Sequence, residues 1–388
     1  MIRLGFICDS FEMGGLEQSC LEVMRRLDRA RFQPHFYSFR PGTLLREVQP
    51  LDIPILIGHD KPGADPSWDE SDVAARARYD DILAQKLAGD RIDACLIYAW
   101  RDAVKVARKA GVSAMIERLD GPSLAGRVLD KAALDAIICE SRFARQSLLA
   151  QRRLLGCRRE QIVMIPNGID LSRFDPDSHD RGASRGALGV GANDFVVGSV
   201  ARLAPEKNLS MLLRAVANVV RRPDARSLRP VRGSIRVVLA GPDRGCRAEL
   251  ETEARELGIA DRVRFLGERS DVPQILRACD AFAITSLYEG VSIAMLEAIA
   301  MGLPIIATHV GALAECIDGN GILVAPLDVP SLSSAIMRLS EDPVLRRYMG
   351  QRSRALARRH DANDMVRGYE SVIDGVLSRT HREKAVLR

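Results

Sequence analysis

Short apolar runs alternate with amphipathic stretches along almost the whole chain. In the first half the runs are IRLGFIC, QPHFYSF, IPILI, DACLIY, SAMIERL, DAIICE and IVMIP. Runs of this length, rich in branched and aromatic residues, read as strands buried on both faces. Between them, residues 15–29, 73–88, 102–110 and 142–155 place apolar positions at helical spacing. Strands separated by helices imply parallel sheets covered on both sides.

The alternation stops at residues 166–194, PNGIDLSRFDPDSHDRGASRGALGVGAND, where Gly, Asp, Ser and Pro mark a linker. It restarts with FVVGSVA, IRVVLAG, VRFLG, DAFAIT, LPIIAT and GILVAP, with helices expected at 207–221, 246–257, 271–277 and 292–301. From about 329 to 380 only helix is expected. The pattern predicts an α/β protein of two Rossmann-like domains, with mostly parallel sheets facing a central cleft. The expected bounds are 1–170 for the first domain, 171–193 for the linker and 194–360 for the second. A helical tail, 361–388, would cross back to the first domain. Ligands of open parallel sheets sit beyond the carboxyl ends of the strands, so the chemistry belongs in the loops that leave them. The Arg-rich stretch 221–233 reads as a solvated surface loop.

Composition narrows this picture. A chain of 388 residues exceeds what one core usually serves, which favours two domains. The 47% hydrophobic and 28% charged fractions are those of a soluble globular protein. The net charge of +5 comes from Arg spread along the chain, and no nucleic-acid partner is implied. The eight Cys form no CxxC pair and several lie in strand-like runs, which argues against a zinc site or a disulfide framework. The N-terminus reads as a first strand and not as a signal peptide. No apolar run reaches the ~18 residues of a membrane span. The expected location is cytoplasmic, with peripheral contact at the inner membrane face considered for the basic stretch 142–160, RFARQSLLAQRRLLGCRRE. Its interleaved Leu and Arg fit a membrane-surface helix, and equally a domain helix with a solvated basic face, the plainer reading.

Three places carry candidate chemistry. Gly14 and Gly15 fall at the turn from the first strand into a helix, where bare backbone and a helix N-terminus suit a phosphate, though a tight turn needs the same residues. Arg202 and Lys207, in VGSVARLAPEKNLSMLL, follow a buried strand and have the charge to clamp a diphosphate. Solvated surface cations would look alike. The stretch LYEGVSIAMLEAIAMGLPIIAT is apolar yet holds Glu289 and Glu297, with Ser292 as an N-cap. A carboxylate beside Ile293, Ala294, Leu296 and Ile299 needs a partner, either ligand hydroxyls or an Arg.

Together these motifs resemble the GT-B family of retaining glycosyltransferases known as the glycosyltransferase 4 group. The resemblance is strongest over 194–326, through ARLAPEKN, LAGP, VRFLG, the E-x7-E pair of Glu289 and Glu297, GLPIIAT and GILVAP. In the first half, MGGLE and VMIPNGIDLSRF match. The resemblance implies a nucleotide-diphosphate-sugar donor, with Glu297 on the ribose, Arg202 and Lys207 on the diphosphate and Glu289 at the sugar. Gly14, Gly15, Gly241, Ser292, Ile293 and Ala294 would complete the donor site, and GERSDV (267–272) would pass near the base. Transfer would retain configuration, the departing phosphate oxygen taking the acceptor proton, without a metal or other cofactor. The acceptor would be a glycan, a lipid-linked or a small molecule.

Two departures touch the sugar and acceptor side. Relatives place a His after a first-domain strand, where this chain reads MIERLDGPSL; Arg118 or Asp120 would take over that neighbourhood. Gly311–Ala312 replaces a Gly pair before Glu315, with His309 just upstream. Two other functions stay open: a nucleotide-sugar epimerase of the same fold, for which the six scattered His offer no acid–base cluster, and a non-catalytic donor-binding subunit. The only DxD, Asp175-Pro176-Asp177, lies in the expected linker.

Overall fold

The structure is a computed structural model that describes residues 1–12, 14–58, 70–98, 102–119, 133–221 and 234–386. The chain forms two compact units, Met1–Gly168 with the segment from Ala362, and Ile169–Asp361. The first contains β1 (Ile2–Cys8), α1 (Gly15–Arg26), β2 (Phe32–Ser38), α2 (Leu45–Val48), β3 (Ile55–Ile57), α3 (Glu70–Gly89), β4 (Ala94–Tyr98), α4 (Ala103–Lys109), β5 (Ala114–Leu119), β6 (Ala136–Cys139), α5 (Arg142–Gln151) and β7 (Ile162–Met164). The second contains α6 (Arg181–Ala187), β8 (Phe195–Val200), α7 (Leu209–Arg221), β9 (Ile235–Ala240), α8 (Arg247–Glu256), β10 (Val263–Phe265), α9 (Val272–Ala278), β11 (Ala281–Ile284), α10 (Ile293–Ala300), β12 (Ile305–Thr308), β13 (Gly321–Val324), α11 (Val329–Glu341) and α12 (Pro343–Ala357). The last helix, α13 (Ala362–Val386), belongs to the first unit.

Among the described residues the strands form two sheets, ordered β3-β2-β1-β4-β5-β6-β7 and β10-β9-β8-β11-β12-β13, with every pairing parallel. Apolar side chains on both faces explain why these strands read as continuous runs: β4, β5 and β11 are buried at every position. In each sheet the chain reverses direction of growth beside its first strand, between β1 and β4 and between β8 and β11. Loops leaving the strands there diverge and open a crevice.

Helix α13 joins the first unit because Met365, Val366, Tyr369, Ile373, Val376 and Leu377 form one apolar face. That face packs in a single core with Cys20, Val23 and Met24 of α1. Gly168 N also donates to Met365 Sδ at 3.1 Å.

The segment 171–193, expected as a linker, folds into the second unit. Helix α6 packs on α9, and the nearly buried Arg185 donates to Ala278 O at 2.9 Å and to Asp280 at 3.2 Å. Two of its Asp residues are caps: Asp180 Oδ1 accepts from Ala183 N at 3.0 Å and Asp175 Oδ1 from Asp177 N at 3.3 Å. Cap chemistry and linker chemistry use the same residue types. The basic stretch 142–160 is a second correction, because α5 ends at Gln151 and the chain turns through Gly156 at φ +68°. Asp120 and residues 222–233 of the Arg-rich stretch lie outside the described residues.

Candidate functional site

The crevice of the second unit is built by three loops, leaving β8, β11 and β12. The first is tied to the loop after β9 by Ala201 N on Ala240 O at 2.9 Å and Leu203 N on Pro242 O at 2.9 Å. Gly241 sits in this seam at φ +145°, and a Cβ there would meet Ala201 O at 2.0 Å. Close backbone approach therefore accounts for Gly241 without a ligand. A short 3-10 turn, Pro205–Lys207, then ends on Asn208 in the left-handed region (φ +46°), and α7 begins.

The loop after β11 is stitched to this turn. Thr285 Oγ1 donates to Lys207 O at 2.9 Å and Leu287 N to Glu206 O at 2.8 Å. Lys207 Nζ consequently reaches Glu289 Oε2 at 2.6 Å, with the two side chains 16% and 17% exposed. Ser286 Oγ donates to the same oxygen at 2.9 Å. The main chain at Ser286 is held in turn by Thr308 Oγ1, at the end of β12, through a 2.7 Å bond to Ser286 O. From the third loop, Gly311 (φ +52°) backs the Glu289 main chain so closely that a Cβ would lie 1.8 Å from Glu289 O.

Two expectations change here. Glu289 was to be satisfied by ligand hydroxyls, yet Oε2 is already engaged by Lys207 and Ser286. Oε1 takes no hydrogen bond among the described residues. Arg202 is also paired, with Glu206 Oε1 at 3.3 Å, although its side chain stays 46% exposed.

Helix α10 starts one turn beyond Glu289. Ser292 is its N-cap and accepts from Met295 N at 3.3 Å. The N–H groups of Ile293 and Ala294 belong to the first turn, which has no intrahelical acceptors. Their dipole end suits an anion. The helix closes at Gly302 (φ +73°), with Leu303 N on Ala298 O and Gly302 N on Ile299 O, both at 3.0 Å. Met295, Leu296, Ala298, Ile299 and Ala300 are buried in the core of the unit, and Glu297 is 8% exposed among them. Burying each large side chain contributes about 1.5–3 kcal/mol, which fixes the direction of the N-terminus.

The remaining candidates lie in the first unit. Gly14 is the N-cap of α1 with ordinary extended angles (φ −151°, ψ 166°). A Cβ there would meet only the end of the flexible Glu17 side chain, so packing does not demand glycine. Gly15 opens α1 itself. Arg118 does not fit an acceptor-side role. It is fully buried, pairs with Glu140 at 3.6 Å and donates to Asn167 Oδ1. A guanidinium spent on a strand end and the PNG turn cannot also meet a substrate. His309 and Glu315 are exposed beside the third loop.

Sequence reasoning missed Thr285, Ser286 and Thr308. The available signal was a hydroxyl at the carboxyl end of each of two neighbouring strands. All eight thiols are free, and burial pushes Cys139, Cys279 and Cys316 up to about 12. Among the described residues no group of three or more His, Cys, Asp or Glu could hold a metal ion, and no helix is long and apolar enough to cross a membrane. Asp175 of the DxD pairs with Arg354 at 3.0 Å.

Comparison with known proteins adds independent evidence. The model of the family described as Glycosyl transferases group 1 matches residues 180–356, and that of Glycosyltransferase Family 4 matches 13–173. D-inositol 3-phosphate glycosyltransferase of Kineococcus radiotolerans is 31% identical over 69% of this chain and 63% of its own length. The aligned part thus spans under two thirds of that relative. The putative glycosyltransferase EpsF of Bacillus subtilis is 26% identical over 84% of each chain. Among solved structures, Anabaena Alr3699/HepE in complex with UDP-glucose superposes with a TM-score of 0.78 at 22% identity, covering 97% of this chain and 100% of that one. That likeness speaks for the fold.

Proposed function

The chain belongs to the GT-B glycosyltransferases of the family 4 type, and from that premise we propose that it moves a sugar from a nucleotide-diphosphate-sugar to an acceptor hydroxyl with retention of configuration. The observation that carries this reading is the Lys207–Glu289 pair, held at 2.6 Å by loops that meet at the switch point of the second sheet. Arg202 and Lys207 take the diphosphate and stabilise the charge that grows on it as the sugar departs. The Ile293 and Ala294 amides add their dipoles at the same place. Glu297 holds the ribose diol. Ser286 and Lys207 fix one oxygen of Glu289 and leave the other for the sugar. The departing phosphate oxygen accepts the acceptor proton, so the protein supplies charge and orientation, and neither a metal nor another cofactor enters the reaction.

UDP is favoured as the donor nucleotide over GDP, in line with the UDP-glucose complex of a similar fold. The acceptor is a glycan, a lipid-linked or a small molecule; a relative named for inositol 3-phosphate supports the last class. The enzyme works in the cytoplasm; the basic stretch 142–160 is a solvated face in the leading reading, with peripheral contact at the inner membrane face as the second.

Incubation with UDP- and GDP-sugars tests the proposal. Slow release of free nucleotide without acceptor, and an anomerically retained product with one, are expected. Interconverted sugar nucleotide would make the protein an epimerase. Binding without release or transfer would make it a donor-binding subunit.

A further inference from the structure

The strands that carry the candidate site have a second set of loops at their amino ends. Cys279 and Asp280 before β11, and Leu303 and Pro304 before β12, border a cavity of about 480 Å³. Its walls are the end of α9, the start of α6 and one side of α12. Helix α12 comes close because Gly350 faces the end of α10, where a Cβ would lie 2.5 Å from Gly302 O. Five arginines line the cavity, Arg181, Arg277, Arg346, Arg347 and Arg354, against Asp177 and Asp280.

Those charges are not balanced. Asp280 is shared between Arg181 at 2.7 Å and Arg185 at 3.2 Å, and also accepts from Val196 N at 2.9 Å. Arg354 has Asp175 at 3.0 Å. Arg277, Arg346 and Arg347 have no carboxylate within 4.0 Å among the described residues. Arg277 and Arg346 are fixed by neutral acceptors instead. Arg277 Nε donates to His179 O at 2.9 Å. Arg346 Nη1 donates to Leu339 O and to Ser340 O at 3.0 Å, and its guanidinium lies 5.4 Å over the Phe195 ring. Carbonyl partners orient a guanidinium without cancelling its charge. Burial lowers the Arg346 guanidinium from its ordinary value; Arg181 and Arg347 add to that, while Asp280 and Asp342 oppose it.

We propose that this cavity binds a ligand bearing phosphoryl or diphosphoryl groups, at a site separate from the crevice where Lys207 and Glu289 meet. Pre-oriented guanidinium forks match phosphate oxygens in geometry as well as charge. The two sites lie at opposite ends of β11, so one ligand does not fill both. The same chemistry could come from a phosphorylated solute or from the headgroup of an anionic lipid.

Calorimetric titration of the full chain with inorganic pyrophosphate, in the presence of saturating UDP, tests this. One site is expected, weakened roughly tenfold by the exposed charge reversal Arg347→Glu and by Arg346→Gln, with melting temperature tracked for both. UDP affinity should not change in either variant. No binding, binding abolished by UDP, or wild-type affinity in both variants would overturn the proposal. Sedimentation with phosphatidylglycerol vesicles, against phosphatidylcholine, identifies the source. Retention lost in Arg347→Glu assigns a lipid headgroup; retention unchanged while pyrophosphate binding falls assigns a soluble ligand.

Discussion

The two sheets share one strand order through their first six positions, and each has a switch point beside its first strand, but the charged residues around them are used in opposite ways. In the first unit Arg118, at the end of β5, is fully buried and spent on Glu140 and Asn167. In the second unit the corresponding strand β12 ends in Thr308, a neutral hydroxyl that holds Ser286. The cations sit instead on the loop after β8, with Arg202 46% exposed and Lys207 16%. Topology supplies a crevice in both units. In the second, the described residues set the cations Arg202 and Lys207 beside it.

This contrast can be broken from either side. The largest effect expected is structural: Arg118→Ala leaves Glu140 buried without its guanidinium and costs about 3–5 kcal/mol of stability, read by denaturant unfolding. Nucleotide affinity of the folded variant should hold, and a loss would return Arg118 to the site. Lys207→Ala reverses the pattern, lowering donor hydrolysis by roughly 10²–10³-fold with little change in melting temperature. Glu297→Ala should weaken UDP roughly 10- to 100-fold, as loss of hydrogen bonds to a charged group does. The smallest effect is expected for Ser286→Ala. Loss of one hydrogen bond to Glu289 should cut turnover by about 3- to 10-fold at nearly constant UDP affinity. Equal losses in both quantities would mean that Ser286 supports the loop and does not position the carboxylate.

Much of the architecture was readable because buried parallel strands are continuous apolar runs, and short ones such as β11 still stand out between helices. The segment 171–193 reads as a linker because Asp175 and Asp180, which cap a short turn and α6, are residue types that linkers also favour. Helix α5 was read too long because interleaved Leu and Arg continue past Gln151, while the left-handed Gly156 redirects the chain. Within the site, Lys207 and Glu289 were legible as charges beside strand ends. Their direct pairing was not, because it depends on the hydrogen bonds from Thr285 and Leu287 that join two loops about 80 residues apart in sequence. Ser286 and Thr308 were missed for a related reason. A hydroxyl at a strand end carries no charge to flag it, and its value appears only when the neighbouring strand is in place. At Gly241 backbone packing by itself calls for a glycine, so the residue type is no sign of a ligand there.

The donor diphosphate, on this reading, is held mainly by the second unit, between Arg202, Lys207 and the start of α10. A crystal structure of the full chain with UDP bound tests it most directly. Diphosphate oxygens are expected within hydrogen-bond distance of Arg202, Lys207 and the Ile293–Ala294 amides, with the ribose on Glu297. UDP density confined to the first unit, or lodged among Arg277, Arg346 and Arg347, would contradict it.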